Sequence, residues 1–425
     1  MNNNSLFSVL LEEFHDKIKD FPEGIIRERT FPNIPNKIMV AIGMRRTGKT
    51  HLLLQTIKTL LKEIPLTRIL YINFEDDRLS GLSQQQLAGL LDDFYSFYPE
   101  NHDALCYLFL DEIQNVDNWH QVVRRYFDTK KVKIYLTGSS AKLLSKEIAS
   151  SLRGRSFAVE VWPFNYKEFL EKKNLSFPSG ILGKKALDQS KKNLTTYLEQ
   201  GGLPEVISLE HQEDRTKILQ DYVSTVIFRD IVERYNITNL HLIRQLIKII
   251  LKNIGCLVSV NKLFEDLKSQ GISVSKGTLH EYFEYINDSY LAFTVPLYAE
   301  SLRKVQSNPR KIYAVDTGLS KAYSVTLMSN FGHHFENLVY LDLRRRGDEI
   351  YYYLTKKNRR EVDFFTCDLM GKWHLYQVSW DISDPETLAR ETLALREAEE
   401  ELNLKGHIIT PESYFSEFLP SLQRL

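Results

Sequence analysis

The sequence predicts a multidomain α/β protein, and three observations carry that expectation. First, Gly43-Met44-Arg45-Arg46-Thr47-Gly48-Lys49-Thr50 lies between a short apolar run, Ile38 to Ile42, and a stretch from His51 to Leu61 with leucine and isoleucine at helical spacing. Second, strand-like and helix-like segments alternate from residue 31 to about 170, the signature of a parallel sheet covered by helices. Third, 425 residues are too many for one core, and the pattern changes character after residue 237.

The octapeptide from Gly43 to Thr50 is placed to bind phosphate. Its glycines let backbone N–H groups wrap a phosphate chain, and the following helix adds the partial positive charge of its N-terminus. On this reading Gly43, Met44, Arg45, Arg46, Thr47, Gly48, Lys49, Thr50 and His51 hold ATP. Lys49 reaches the β- and γ-phosphates, and the Thr50 hydroxyl ligates Mg²⁺.

A second apolar strand, Cys106 to Leu110, ends in Asp111 and Glu112. A strand buried on both faces has no use for acids within it, whereas its C-terminal end is where open α/β sheets bind ligands. Asp111 is therefore expected in the Mg²⁺ shell, with Glu112 as the base that polarises the attacking water. Lys133 to Leu136 is another such strand, after which Thr137, Ser139 or Ser140 is in position to bond the γ-phosphate or the lytic water. Leu152-Arg153-Gly154-Arg155 offers Arg153 or Arg155 to the γ-phosphate of a neighbouring subunit, which implies a homo-oligomer. The plainer alternative for these arginines is a surface salt bridge.

Composition narrows the setting. The 55 basic residues balance 55 acidic ones, so any nucleic-acid face must be local. Three scattered cysteines argue for a reducing compartment and against a disulfide framework or a zinc site. The first residues lack the basic start of a signal peptide, and no apolar run approaches the ~20 residues of a membrane helix. The expected location is cytoplasmic, with no membrane partner.

Along the chain, residues 1–30 hold an amphipathic helix, Leu6 to Ile18, and residues 31–170 form the phosphate-loop core. Residues 171–236 read as a lysine-rich linker containing Pro178-Ser179-Gly180, then a helical lid from Tyr197 to Tyr235 broken at Gly201-Gly202-Leu203-Pro204-Glu205. Arg229 on the lid senses nucleotide or, more simply, pairs with a nearby acid. Residues 237–325 give three short helices and two strand-like runs, the outline of a winged helix. Its third helix opens with Lys276, Thr278 and His280 but continues into Glu281, Glu284 and Asp288, so a structural role is as consistent as DNA reading. Arg303, Lys304, Arg310 and Lys311 of the hairpin offer phosphate contacts.

Residues 326–425 mix helix and strand again, and Glu336, Asp363 and Gln377 fall in the order of a restriction-endonuclease-type metal site. Gln377 stands where an acid is expected, and Ser379 where a lysine is. The site therefore reads as degenerate. Arg344-Arg345-Arg346 with Lys356, Lys357, Arg359 and Arg360 suggest a zone that attracts DNA backbone, or simply a solvated surface.

These residues together resemble prokaryotic AAA-type ATPases that carry a C-terminal domain of unknown function with a restriction-endonuclease-like fold. The resemblance rests on the 43–50 loop, Tyr71-Ile72-Asn73-Phe74-Glu75-Asp76, Leu110-Asp111-Glu112-Ile113-Gln114 with Trp119, and Thr137-Gly138-Ser139-Ser140. It continues through Leu152-Arg153-Gly154-Arg155, Gly201-Gly202-Leu203-Pro204-Glu205, Asp316-Thr317-Gly318-Leu319, Phe335-Glu336-Asn337 and Glu361-Val362-Asp363-Phe364. It implies an AAA-type core with a helical lid, a winged helix and an endonuclease-like α/β domain. It also implies ATP binding and hydrolysis, with oligomers common. Three functions follow as alternatives: an ATPase coupled to DNA, a nucleotide switch that binds a protein partner, and a metal-dependent nuclease.

Overall fold

In the computed structural model, which describes residues 3–22, 24–138, 152, 154–177, 183–301, 305, 308–323 and 331–422, the apolar runs of the first third become five strands. They are β1 (Ile38–Ile42), β2 (Ile69–Asn73), β3 (Cys106–Asp111), β4 (Val132–Thr137) and β5 (Ser156–Glu160). Every neighbouring pair is parallel, in the order β2-β3-β4-β1-β5. Parallel strands need crossovers, and four helices precede or supply them: α1 (Asn3–Asp20), α2 (Lys49–Leu60), α3 (Gln84–Phe97) and α4 (Trp119–Thr129). Burial on both faces explains why β1 and β3 read as unbroken apolar runs. Phe109 and Tyr135 stack at 4.5 Å between β3 and β4. Ser83 starts α3 with a capping box to Gln86.

The order matters for chemistry. β4 lies between β1 and β3, so the loop after β1, the acids ending β3 and Thr137 ending β4 share the C-terminal edge of the sheet. Open parallel sheets bind ligands at that edge. These elements belong to one compact unit, residues 1–162; residues 163–425 form a second.

In the second unit, α5 (Lys184–Gln200) starts thirteen residues before the helix expected at Tyr197. Its lysines cover the exposed face, while Ser190, Leu194, Tyr197 and Leu198 are buried at helical spacing. The linker reading weighed the lysines and missed that stripe; Pro178, Ser179 and Gly180 lie outside the described residues. α6 (Gln212–Thr225) continues into a π-helical turn, where Arg229 pairs with Glu233 at 3.2 Å, the plainer of its two readings. Gly201 and Gly202 separate α5 from the next turn. The buried Asp316 carboxylate ties this turn to the Asp-Thr-Gly-Leu run: it accepts from Gly202 N at 2.5 Å and from Gly318 N at 2.9 Å, while a Cβ on Gly202 would stand 2.1 Å from Phe164 O. A Cβ on Gly201, at φ 77°, would stand 2.0 Å from the same carboxylate.

Helices α7 (Leu240–Lys252), α8 (Val260–Ser269) and α9 (Lys276–Asp288) follow, with Ser275 capping α9 through Thr278 N. A three-stranded antiparallel sheet of order β6-β8-β7 accompanies them, from β6 (Leu257–Val258), β7 (Ala292–Val295) and β8 (Arg310–Ala314). β6 is two residues long, too short to show in a sequence pattern. The chain ends with α10 (Phe331–Arg346), β9 (Glu349–Leu354), β10 (Glu361–Cys367), β11 (Trp373–Val378), α11 (Pro385–Leu402) and β12 (Gly406–Ile409). Their sheet runs β12-β11-β10-β9, with β12 parallel to β11 and the other pairs antiparallel.

Candidate functional site

The phosphate loop is held from beneath. Gly43 has φ 148°, and a Cβ there would lie 2.3 Å from the Val161 carbonyl oxygen, so only glycine fits. Arg46 adopts φ 67°, a left-handed conformation that costs a non-glycine residue energy and recurs at ligand-binding loops. Thr47 is fully buried, and its hydroxyl donates to Met44 O at 2.9 Å. Arg27, 7 % exposed, donates to Thr47 O at 2.8 Å and Trp162 O at 2.6 Å, bracing the loop against the end of the sheet. Arg45 pairs with Glu75 at 3.0 Å. His51 packs its ring 4.8 Å from Phe21.

The donor set suits an anion. Gly48 starts α2 in a left-handed conformation without a side-chain cap, and no acid lies in the helix's first turn. Lys49 is 5 % exposed; its ammonium donates to Gly43 O and Met44 O, both at 3.1 Å, and stands 4.0 Å from Glu112 Oε1. The residues that would cradle a triphosphate therefore supply oriented amides and one buried cation.

The acids at the end of β3 are equally fixed. Asp111 is fully buried, accepts from Tyr71 OH at 2.9 Å and from the Thr137 hydroxyl, and also bonds the Thr50 hydroxyl. Burial pushes its carboxyl above the ordinary aspartate range, while the bonds from Thr137, Thr50 and Tyr71 pull the other way. Thr50 and Asp111, the two expected Mg²⁺ holders, are thus brought together. Glu112 has φ 52°; its N–H donates to Thr137 Oγ1 at 2.8 Å, and its carboxylate accepts from Gln114 Nε2 at 2.5 Å. Thr137 spends its hydroxyl on Asp111 and Glu112 N, so it pins the acids rather than reaching toward phosphate. Ser139, Ser140 and Arg153 lie outside the described residues. Arg155 precedes β5, at the sheet end opposite its own phosphate loop, and pairs with Asp128 at 2.9 Å.

The second unit gathers Glu336, Asp363 and Gln377 at one cavity of about 510 Å³. Asn337 makes two bonds to the Ala314 backbone, at 2.7 and 2.9 Å, which dock α10 on β8 and set Glu336 beside that strand. There the sequence reading needs correction. Lys311, expected on the surface as a phosphate contact, is 1 % exposed, and its ammonium lies 2.7–2.8 Å from Glu336, Glu361 and Asp363. Burial would lower the Lys311 pKa, but Asp363, Glu336 and Glu361 outweigh it and hold the ammonium protonated. Burial pushes the Glu336 carboxyl up, and the Lys311 ammonium beside it pulls the other way. Gln377 donates to Glu391 at 2.5 Å and accepts from Asp363 N at 3.2 Å.

The basic zone also shrinks. Arg345 is bound to Asp342 at 2.8 Å and Arg346 to Asp348 at 2.6 Å, while Arg344 stacks 4.0 Å over the Phe293 ring. Arg360 pairs with Glu397 at 3.2 Å and Arg310 with Glu284 at 3.8 Å. Of that group Lys356, Lys357 and Arg359 are exposed, and Arg303 and Lys304 are outside the described residues. The sequence reading missed Arg27, Tyr71 and Lys311 as structural partners of these sites. A lysine followed directly by Ile312, Tyr313 and Ala314 was the available signal for Lys311. Among the described residues no helix is long and apolar enough to cross a membrane.

Comparison with known proteins bears on the segment that carries the first of these two sites. Residues 35–170 match the family model of an AAA domain, and residues 191–328 match a domain of unknown function. The second match runs from within α5 to beyond β8 rather than over the last hundred residues. The uncharacterized protein MJ1544 of Methanocaldococcus jannaschii is 36 % identical over 379 residues, covering 87 % of this chain and 80 % of that protein. An uncharacterized protein of Haemophilus influenzae is 28 % identical over 331 residues, covering 77 % of this chain and 78 % of that one. Among solved structures, the Walker-type ATPase of Pyrococcus abyssi aligns over 72 % of this chain and 99 % of its own, at 16 % identity and TM-score 0.41. The Orc1 protein of Aeropyrum pernix, solved with DNA, aligns over 75 % and 91 % at 12 % identity and TM-score 0.31.

Proposed function

This chain belongs to the family of MJ1544 and carries an AAA-type phosphate-loop core, and we propose that it binds ATP with Mg²⁺ and hydrolyses it to ADP and phosphate. The observation that carries this reading is the cluster at the sheet edge. Lys49, Thr50, Asp111 and Glu112 come from two separate segments and meet within hydrogen-bonding or ion-pair reach. The loop amides and Lys49 bind the β- and γ-phosphates, Thr50 and Asp111 hold the Mg²⁺ shell, and Glu112 takes the proton of the attacking water. Mg²⁺ supplies charge neutralisation between the phosphates when bound. Gln114 and Thr137 orient the base. The ATPase works in the cytoplasm as a homo-oligomer, and Arg155 or Arg153 serves the neighbouring subunit.

The further reading is that nucleotide state is coupled to DNA. α7, α8 and α9 with the β6-β8-β7 sheet have the element order of a winged helix, and the last hundred residues have that of an endonuclease-like domain. One observation favours the other reading, a switch that binds a protein partner: Lys311, Arg345 and Arg346 are committed to internal acids and unavailable to phosphate backbone. The deciding experiment is phosphate release with and without duplex and single-stranded DNA at several salt concentrations, on wild type and Lys49→Ala. DNA-stimulated, salt-sensitive turnover supports coupling to DNA. Unstimulated turnover supports the switch, and no turnover in any condition removes the enzyme assignment.

A further inference from the structure

The cavity of the second unit holds an ammonium at the meeting point of its acids. β8 is the central strand of its sheet, with Lys311 in register with Leu257 on one side and Val295 on the other. Its backbone is therefore fixed from both edges, and the side chain is 1 % exposed. The Nζ atom lies 2.8 Å from Glu336 Oε1, 2.7 Å from Glu361 Oε1 and 2.7 Å from Asp363 Oδ1. The ammonium donates to Glu336 and Asp363, and Glu361 completes the ion-pair cluster around it.

The acids have other commitments too. Glu336 Oε1 also accepts from Tyr313 OH at 2.6 Å, and Asp363 Oδ2 accepts from Val378 N at 2.8 Å. Gln377, another polar group lining the cavity, is bridged between Asp363 N and Glu391.

We propose that Lys311 is the resident cation of this cavity, a built-in counter-ion standing among Glu336, Glu361 and Asp363 where a divalent ion would otherwise be held, and that it closes the site to metal-dependent phosphodiester cleavage. Mg²⁺ or Mn²⁺ asks for several oxygen ligands in open, near-octahedral geometry. To enter here it must displace a buried ammonium from its three acids or strip its proton. A buried charge that loses its partners is costly, so exchange is disfavoured even though three carboxylates are attractive to metal. The cavity thus keeps the acids of a nuclease site with a different cation. This inference does not depend on the ATPase reading, because every residue in it belongs to the second unit.

The test is Mn²⁺ titration of the full chain by calorimetry and by the electron spin signal of free Mn²⁺, on wild type and Lys311→Met. The C-terminal cavity of the wild type should take up no Mn²⁺, as judged by an isotherm unchanged in Asp363→Asn. Lys311→Met should gain a binding event and a thermal midpoint that rises with Mn²⁺. Asp363→Asn placed in the Lys311→Met background should weaken that new event by about tenfold or more. A folded Lys311→Met protein that gains no Mn²⁺ overturns the proposal. Should that variant fail to fold, the wild type decides. Mn²⁺ uptake or plasmid cleavage that disappears in Asp363→Asn overturns the resident-cation assignment, and identical isotherms for the two proteins support it.

Discussion

Replacing Thr137 by valine removes one oxygen and almost nothing else. The side chain is buried and valine has nearly its shape, so no cavity opens. What disappears is a two-sided bond: the hydroxyl donates to Asp111 and accepts the Glu112 N–H at 2.8 Å. A hydrogen bond to a charged group contributes about 1.5–3 kcal/mol, and a buried donor left unpaired costs about 1–3 kcal/mol. Together these suggest a loss of roughly 3–5 kcal/mol, measurable by urea unfolding of the full chain. The kinetic consequence follows from the same atoms. Asp111 already has its carboxyl raised by burial, and losing the Thr137 bond raises it further, so it holds Mg²⁺ less well. Phosphate release should then require more Mg²⁺ for half-maximal rate and rise more steeply with pH. Glu112, freed from its backbone anchor, should position water poorly, and turnover should fall by about tenfold or more. Thr137→Ser keeps both bonds and should behave nearly as wild type. Wild-type stability and turnover in Thr137→Val would refute the claim that this hydroxyl organises the two acids.

Other outcomes follow from the same geometry. Lys49→Ala should abolish nucleotide affinity in calorimetry, whereas Glu112→Gln should retain binding and lose roughly a hundredfold or more in turnover; a normal rate in the latter removes Glu112 as base. If Arg153 or Arg155 acts in a neighbour's site, the double alanine variant should bind ATP but hydrolyse on the order of 10³-fold more slowly. Mixing it with Lys49→Ala should restore activity, and full activity in a dilute monomer would exclude the arrangement. His334 is 5 % exposed, and burial, assisted by Lys321 and His333, depresses its pKa from 6.5 to about 4. A depressed pKa contributes stability that is whole above pH 6.5 and is lost as pH falls toward 4. Between pH 7 and 4.5 the wild type should therefore lose roughly 2–3 kcal/mol more than His334→Leu, and equal losses would contradict the assignment.

The phosphate loop was legible because its parts are contiguous: eight residues, the strand before them and the helix after them lie in one stretch of sequence. Asp111 and Glu112 were legible because acids ending an apolar strand have little other use. What joins the two is strand order, and order is non-local. Nothing in residues 132–137 announces that they insert between β1 and β3, so the role of Thr137 as a shared anchor was not predictable. Charged residues were the poorest guides in the second unit. Arg345 and Arg346 look like a surface run until Asp342 and Asp348 are folded against them, and Lys311 looks like a hairpin cation until α10 and β10 bring three acids to it. A sequence shows that a charge exists: the partners of Arg345 and Arg346 stand within three residues of them, whereas those of Lys311 lie 25 to 52 residues away.

The bond from Gly202 N to Asp316 spans 114 residues, and it has a consequence for how the protein is made. On the ribosome, the turn after α5 must wait for all of that chain before its carboxylate exists. At ordinary synthesis rates of about 5–20 residues per second the delay is roughly 6–23 seconds, far longer than a helix needs to form. Residues 1–162 form a compact unit of their own, so the first unit can settle while the second is still being extruded. The nascent chain should therefore acquire protease resistance in two steps, the second only after residue 316 has cleared the exit tunnel.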